Sequence, residues 1–172
     1  TSRILASVLD SFFGRSGEMA AHLDSTAKGV FAILATPFTD LGELDLASTD
    51  GLVDFYLGHG VAGLTILGVM GEAPKLSHEE SVAFVDRVLK RTGSKVPVVV
   101  GVSNPGVHSL AHLAHTAMDR GAAGVMVAPV PSLRTEEQIY GYFADVCQAL
   151  GQDVPVALQD YPQGNGVFMS PP

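Results

Sequence analysis

Two glycines with two residues between them follow one of the apolar stretches of this chain, in the segment Gly68-Val69-Met70-Gly71. A Gly-x-x-Gly turn at the end of a strand can direct backbone N–H groups at a carboxylate, whatever side chains lie between the glycines. Such a turn can also serve only to reverse the chain, because glycine adopts conformations that other residues avoid. The turn alone therefore leaves two interpretations, a carboxylate site and a structural turn.

Gln159 and Tyr161 follow another apolar stretch, which ends at Leu158. Side chains alternate along a strand, so these two point to the same side if the extended conformation continues. A phenol can exchange a proton with a reacting group, whereas an amide can only orient a hydroxyl or a water molecule. The alternative for Tyr161 is a loop tyrosine that packs under Pro162.

Three histidines, His108, His112 and His115, recur at the spacing i, i+4 and i+7, which can hold a metal ion on one helix face. The apolar residues of the same segment form a separate stripe, which is expected to face the core and to leave the histidines outside. No Cys, Asp or Glu stands beside the histidines before Asp119. The sequence therefore predicts a solvated helix face here and no metal site.

A regular alternation of strand and helix patterns must position these residues. Short apolar runs predict strands at residues 30–36, 63–67, 96–100, 124–128 and 154–158. Helical spacing predicts helices at 46–57, 77–90, 107–120 and 135–150, and capping-box patterns open the second and the fourth. Because the strands are apolar throughout rather than alternating, they are typical of a parallel sheet covered on both faces.

An internal repeat favours a barrel over an open sheet. The segment His59-Gly-Val-Ala-Gly-Leu64 matches Arg120-Gly-Ala-Ala-Gly-Val125 about two units further along, as expected when successive βα units do the same structural job. A closed (β/α)8 barrel needs eight strands in about 250 residues, and five are predicted here. We therefore predict an incomplete (β/α)8 TIM barrel of the α/β class. The alternative is a complete five-stranded doubly wound sheet in a non-catalytic binding or interaction protein.

Composition excludes several classes of protein. The chain has 172 residues, of which 47% are hydrophobic and 16% charged, so one domain with a sizeable core is expected and disorder is excluded. A net charge of -8 argues against nucleic acid or an anionic membrane as the main partner. The single cysteine, Cys147, excludes an internal disulfide framework and favours the cytoplasm. Residues 1–26 are predicted to form an extension with an amphipathic helix, and residues 27–172 to form the barrel.

From about residue 29 to residue 170, the chain resembles the dihydrodipicolinate synthase/N-acetylneuraminate lyase family. The resemblance rests on Ala35-Thr-Pro-Phe38, Gly68-Val-Met-Gly-Glu72, Gly101-Val-Ser-Asn104, Pro129, Pro162 and Gly166. It implies an eight-stranded barrel, usually tetrameric, whose members join or cleave carbon–carbon bonds or dehydrate sugar acids. It further implies a Schiff base between a lysine and a small-molecule 2-oxo acid, a homo-oligomer for the full-length protein, and no cofactor.

The resemblance places the Schiff-base lysine on the sixth strand, which this chain does not reach. Lys28, Lys90 and Lys95 belong to the opposite end of the sheet. Lys75 lies in a loop ahead of a helix cap, where solvent is expected to keep its amine protonated and therefore not nucleophilic. We nominate none of these four lysines as the nucleophile, and we expect this chain alone to be inactive.

Several positions depart from the family pattern. Val69 and Met70 stand where hydroxyl residues are common, and Gln159 stands where the family has its proton-transfer tyrosine. A threonine–tyrosine relay therefore does not carry over, although Tyr161 could replace the missing phenol in part. Gly164 stands where an arginine often recognises a second carboxylate, so this recognition does not carry over either.

With the resemblance, we favour the carboxylate interpretation of the glycine turn and assign Glu72 to holding the loop rather than to proton transfer. The predicted function is that of a lyase, an aldolase or a dehydratase, acting on 2-oxo acids. The predicted substrate-binding residues are Thr36, Gly68, Val69, Met70 and Gly71, and the candidate catalytic residues are Gln159 and Tyr161.

Overall fold

The computed structural model describes residues 22–170, which form five strands, each followed by a helix. The strands are β1 (Phe31–Ile33), β2 (Gly63–Ile66), β3 (Val98–Gly101), β4 (Gly124–Val127) and β5 (Val156–Leu158). The helices are α1 (Leu46–Gly58), α2 (His78–Thr92), α3 (Val107–Asp119), α4 (Glu136–Leu150) and the short α5 (Pro162–Asn165). The predicted strands and long helices are confirmed with small changes at their ends. The amphipathic helix predicted near the start of the chain lies outside the described residues.

All five strands are parallel and pair in the order β1-β2-β3-β4-β5. Each strand lies beside its predecessor, so the order does not reverse, whereas a doubly wound sheet is defined by such a reversal. The strand order therefore argues against the doubly wound alternative and is that of a (β/α) barrel. Because β1 and β5 each pair on one side only, the sheet is an incomplete barrel.

The main core lies between the sheet and the long helices. It is built from fully buried strand side chains such as Leu64 and Val100, and from helix side chains such as Phe84. Burying one side chain of this size stabilises the fold by about 1.5–3 kcal/mol. Outside this core, the guanidinium of Arg87 on α2 donates to both carboxylate oxygens of Asp50 on α1, at 2.7 and 2.8 Å.

Side-chain caps fix where the helices begin, and with them the loops that follow the strands. Ser77 and Glu80 form the predicted capping box at the start of α2, and Thr135 and Gln138 form the one at α4. The carboxylate of Asp45 accepts from the first N–H groups of α1. None of the helices within residues 22–170 is long and apolar enough to cross a lipid bilayer.

Candidate functional site

The carboxyl ends of the strands border an open cavity of about 610 Å³. In a parallel barrel this end of the sheet carries the ligand-binding loops. The cavity is lined by Leu67, Gly68, Val69, Ala73, Pro74, Ser103, Pro105, Met126, Ala128, Pro129, Val130, Pro131, Ser132, Gln159, Gly164 and Asn165. None of these side chains carries a charge.

The segment from Gly68 to Gly71 forms a tight turn directly after β2. The N–H of Gly71 donates to the carbonyl of Gly68 at 3.0 Å, and the N–H of Glu72 donates to the carbonyl of Val69 at 3.1 Å. Within residues 22–170, the N–H groups of Val69 and Met70 donate no hydrogen bond, and both residues are more than half exposed. Two adjacent backbone donors are therefore free for a ligand, as the carboxylate interpretation requires.

Positive φ angles flank this turn on both sides. Leu67 has φ 54° and Glu72 has φ 50°, in the left-handed region that costs a non-glycine residue roughly 1–2 kcal/mol. Such a conformation persists only where the surroundings impose it. The end of β3 is one such constraint, because a Cβ added to Gly101 would overlap the carbonyl of Leu67. Contacts with the rest of the fold therefore hold Leu67 and Glu72 in a backbone conformation that non-glycine residues usually avoid.

Thr36 supplies the second constraint on the turn. Its hydroxyl donates a hydrogen bond of 2.6 Å to the carbonyl of Gly71, and the residue is 6% exposed. Thr36 therefore holds the turn and does not itself line the cavity. Of the other predicted substrate-binding residues, Gly68 and Val69 line the cavity, while Met70 and Gly71 complete the turn.

The structure brings one of the two candidate catalytic residues to the cavity. Gln159 lines it, and the N–H of Gln159 donates to the carbonyl of Val127 at 2.9 Å, which extends the pairing of β4 with β5. The extended conformation ends at Tyr161, where ψ is 69° and α5 begins. The ring of Tyr161 lies against Gly164, where an added Cβ would be 2.5 Å from the ring edge. Tyr161 is therefore next to a cavity residue and is not itself part of the lining.

Two further residues support the site and were not predicted. The hydroxyl of Ser103 accepts a hydrogen bond of 2.8 Å from the N–H of Ala128, which joins the ends of β3 and β4. The amide of Asn165 donates to the carbonyl of Pro129 at 3.2 Å and accepts from the N–H of Val167 at 2.9 Å. The position of Ser103 just after a strand is a usable sequence signal. Nothing in the sequence links Asn165 to a carbonyl 36 residues away.

A buried tyrosine fixes the loop that follows β3. The phenol of Tyr142 on α4 donates to the carbonyl of Asn104 at 3.1 Å. Burial raises the pKa of Tyr142 above its ordinary value, and the bond to Asn104 offsets part of this. The phenol therefore stays a neutral donor at physiological pH. This bond keeps the loop, and Ser103 within it, in place beside the cavity.

The four lysines of the chain are all exposed. The side chain of Lys75 is 70% exposed and forms an ion pair with Glu72. A catalytic Schiff-base lysine is usually buried, so the exposure of Lys75 supports the expectation that it is not the nucleophile. Glu72 lies in the loop after β2 and accepts a hydrogen bond from Lys75; its predicted role in holding the loop stays a prediction.

The histidines of α3 lie on its exposed face, as predicted. His112 stacks on His78 at the start of α2, with ring centroids 4.6 Å apart, rather than on another histidine of its own helix. Among residues 22–170, no three His, Cys, Asp or Glu side chains are grouped so that they could hold a metal ion.

Comparisons with known proteins identify the family of this chain. Residues 26–172 match the model of the dihydrodipicolinate synthetase family. The chain belongs to this family. Within it, 4-hydroxy-tetrahydrodipicolinate synthase 2 of Halalkalibacterium halodurans is 32% identical over 142 residues, which are 82% of this chain and 48% of the relative. The corresponding synthase of Pseudomonas putida is 33% identical over 135 residues, 78% of this chain and 46% of the relative.

Solved structures of the family share the fold. Dihydrodipicolinate synthase from Rhodopseudomonas palustris superposes with a TM-score of 0.82 at 51% identity, over 87% of this chain and 50% of that one. A prophage protein of the family from E. coli K12, solved in complex with pyruvate, gives a TM-score of 0.73 at 29% identity, over 80% and 46%. This chain thus spans about half the length of the family members it matches, and its five βα units are part of their barrel.

Proposed function

We propose that this chain forms the part of a 2-oxo acid lyase that binds the carboxylate of the substrate. The observation that carries the proposal is the pair of free N–H groups on Val69 and Met70, at the mouth of the cavity. Two adjacent backbone donors suit the two oxygens of a carboxylate. The pyruvate complex of the related E. coli K12 protein supports a 2-oxo acid as the ligand.

In the proposed reaction, the carbonyl carbon of the 2-oxo acid forms a Schiff base with a lysine amine, and water leaves. The family resemblance supports this step. The exposure of Lys75 supports placing the amine outside the residues described here, so this chain alone is proposed to be inactive. The role of the chain is to hold the carboxylate at the glycine turn while the carbonyl carbon extends into the cavity.

Gln159 and Tyr161 are proposed to serve the proton transfers that follow. Gln159 lines the cavity, and its amide can orient a water or a substrate hydroxyl, although it cannot titrate. Tyr161 lies against Gly164 at the edge of the cavity, and its phenol takes part in no hydrogen bond within residues 22–170. Rotation of that side chain toward Gln159 would give the site a proton donor.

We also propose that the complete protein is a cytoplasmic homo-oligomer whose partner is a small molecule rather than nucleic acid or a membrane. The net charge of -8 supports the exclusion of polyanionic partners. The family resemblance supports the oligomer, and the lone cysteine supports a reducing compartment.

Titration of the ¹⁵N-labelled chain with pyruvate tests the proposed carboxylate site. We expect the amide resonances of Val69 and Met70 to shift most, because their N–H groups receive the ligand. Methyl pyruvate, which lacks the carboxylate and keeps the carbonyl, is the matched control and should shift them far less. Equal shifts with the ester, or no shift with pyruvate, would contradict the proposal.

A further inference from the structure

Ser103 lies two residues beyond β3 and lines the cavity that the glycine turn borders. Its direction follows from Gly101, the last residue of β3. A Cβ added to Gly101 would be 3.1 Å from the backbone nitrogen of Gly68, so side chains on this face of β3 point toward the turn. The pairing with β4 continues past Gly101, because the N–H of Val102 donates to the carbonyl of Met126 at 3.0 Å. Since side chains two residues apart share a face, Ser103 points the same way, one step nearer the mouth of the cavity.

A backbone bond fixes the oxygen of the Ser103 hydroxyl. The N–H of Ala128, which directly follows β4, donates to it at 2.8 Å. Because the oxygen accepts this bond, the hydroxyl proton is left to donate. In the part of the chain that the structure describes, Ser103 donates this proton to no other group, and the residue is exposed. The hydroxyl is therefore an anchored donor in the cavity where the turn is proposed to hold a carboxylate.

The loop that carries Ser103 is held on its other side by the helix layer. The buried Tyr142 on α4 donates to the carbonyl of Asn104 at 3.1 Å. The side chain of Asn104 in turn accepts from the N–H of Gly106 at 2.8 Å. A loop fixed in this way needs little further ordering when a ligand binds, so the Ser103 hydroxyl can be used at a low cost in conformational entropy.

We propose that the Ser103 hydroxyl donates a hydrogen bond to the oxo oxygen of the bound 2-oxo acid. This role rests on the proposed function, because the turn must hold the carboxylate for the oxo group to reach Ser103. A carboxylate without an oxo group satisfies the N–H groups of Val69 and Met70 equally well and offers Ser103 no acceptor. Ser103 therefore selects 2-oxo acids over simple carboxylates, and its bond polarises the carbonyl that the lysine amine attacks.

Pyruvate and propionate are the matched pair of ligands that tests this role. They share the carboxylate and the methyl group and differ in whether the carbon between them is a carbonyl. In titrations of the ¹⁵N-labelled chain, both should shift the amide resonances of Val69 and Met70, and pyruvate should shift that of Ser103 further than propionate does. We expect pyruvate to bind roughly two- to tenfold more tightly, the range of one net hydrogen bond. Equal affinities, or equal shifts at Ser103, would overturn the proposal.

Variants of Ser103 separate its donor from its structural role. Ser103→Ala should lower the affinity for pyruvate to that for propionate, whereas loss of the bond to Ala128 alone would weaken both ligands alike. Ser103→Thr keeps the hydroxyl and should keep the preference for pyruvate. Ser109→Ala removes an exposed hydroxyl on α3, outside this cavity, and should leave both affinities unchanged. If the preference survives in Ser103→Ala, the hydroxyl is not its source and the proposal fails.

The amides of Val69 and Met70 distinguish failure of this proposal from failure of the proposed function. If neither ligand shifts them, the turn holds no carboxylate and the proposed function fails together with the role of Ser103. If both ligands shift them and the unmodified chain binds pyruvate no more tightly than propionate, the carboxylate site stands and only the role of Ser103 fails.

Discussion

The hydroxyl of Thr36, three residues beyond β1, donates a 2.6 Å hydrogen bond to the carbonyl of Gly71, in the turn that follows β2. This bond joins two neighbouring strand ends at the point where the N–H groups of Val69 and Met70 are free. Because the turn is flanked by positive φ angles, its conformation depends on contacts of this kind. The bond therefore links the stability of the fold to the geometry of the proposed carboxylate site.

Thr36→Val should reduce both stability and pyruvate binding. The change leaves the Gly71 carbonyl without its buried donor, which costs about 1–3 kcal/mol in the free energy of unfolding. Thr36→Ser keeps the hydroxyl and should recover most of the loss. Denaturant unfolding and the pyruvate titration measure the two effects.

Thr92 offers the matched control for this prediction. It is equally buried, but its hydroxyl is the one buried side-chain oxygen in the described part of the chain that has no hydrogen-bond partner. Thr92→Val should therefore be neutral or stabilising and should leave pyruvate binding unchanged. If Thr92→Val lowers the free energy of unfolding as much as Thr36→Val does, the loss at Thr36 cannot be attributed to its bond with Gly71.

Periodicity and caps predicted the framework because they are local properties of the chain. The five apolar runs and the capping boxes at Ser77 and Thr135 fixed where strands and helices lie. The internal repeat favoured the barrel over the doubly wound sheet, and the strand order of the structure agrees with a barrel. Apolar runs and helix caps depend on residues only a few positions apart, and such local patterns can be recognised in a single sequence.

The arrangement of the site was less predictable because it depends on contacts between distant segments. The sequence predicts that Thr36 binds substrate, which stays a prediction, but it does not reveal that the Thr36 hydroxyl bonds to a carbonyl 35 residues away. Strand parity placed Tyr161 beside Gln159, but the chain turns into α5 at Tyr161 and the parity argument ends there. The bond from Asn165 to Pro129 has no local signature at all.

Acid should remove part of the stability that Asp45 provides. Hydrogen bonds from the Ser48 hydroxyl, and then from the N–H groups of Ser48 and Ala47, hold the pKa of Asp45 below its ordinary value. A carboxylate with a depressed folded-state pKa stabilises the fold above its unfolded-state pKa, about 3.9, and loses that effect as pH falls through the folded-state value.

Asp45→Asn isolates this contribution, because asparagine also caps a helix and does not titrate. At pH 6 we expect the native chain to melt at a higher temperature than the variant. This difference in melting temperature should shrink toward zero as the pH falls below about 4. Asp40→Asn removes an exposed carboxylate that accepts no hydrogen bond within residues 22–170, and is the control. The same pH-dependent difference for both variants would exclude the cap as its origin.

The free edge of β5 should make this chain associate. Leu158 at this edge is 59% exposed, and Tyr140 and Phe168 are each 78% exposed. An unpaired strand with apolar side chains is a template for association. We expect sedimentation that depends on concentration and strong binding of a hydrophobic dye, both reduced by Leu158→Lys. Leu41→Lys, at a residue 87% exposed and distant in sequence from this strand, should change neither. A monodisperse monomer would contradict this prediction.

Borohydride reduction in the presence of pyruvate should trap no adduct on this chain. A Schiff-base lysine needs a lowered pKa, usually through burial, and the four lysines here are all exposed. Lys75 follows β2, at the correct end of the sheet, but its side chain is 70% exposed and paired with Glu72. Mass spectrometry of the reduced and digested chain gives the result. A mass increase on the peptide that carries Lys75 would show that this amine is reactive.

Tyr161→Phe tests proton transfer, in a longer protein of the family that contains this sequence together with a Schiff-base lysine. The variant removes one hydroxyl and keeps the ring, so the packing on Gly164 is retained. If the phenol transfers the proton, kcat should fall roughly 10²–10⁴-fold with KM little changed. Gln159→Ala should mainly raise KM, because Gln159 orients a group and cannot titrate. Nearly full kcat for Tyr161→Phe would assign Tyr161 to packing, and the proton would then travel through water held by Gln159 or through the substrate's own carboxylate.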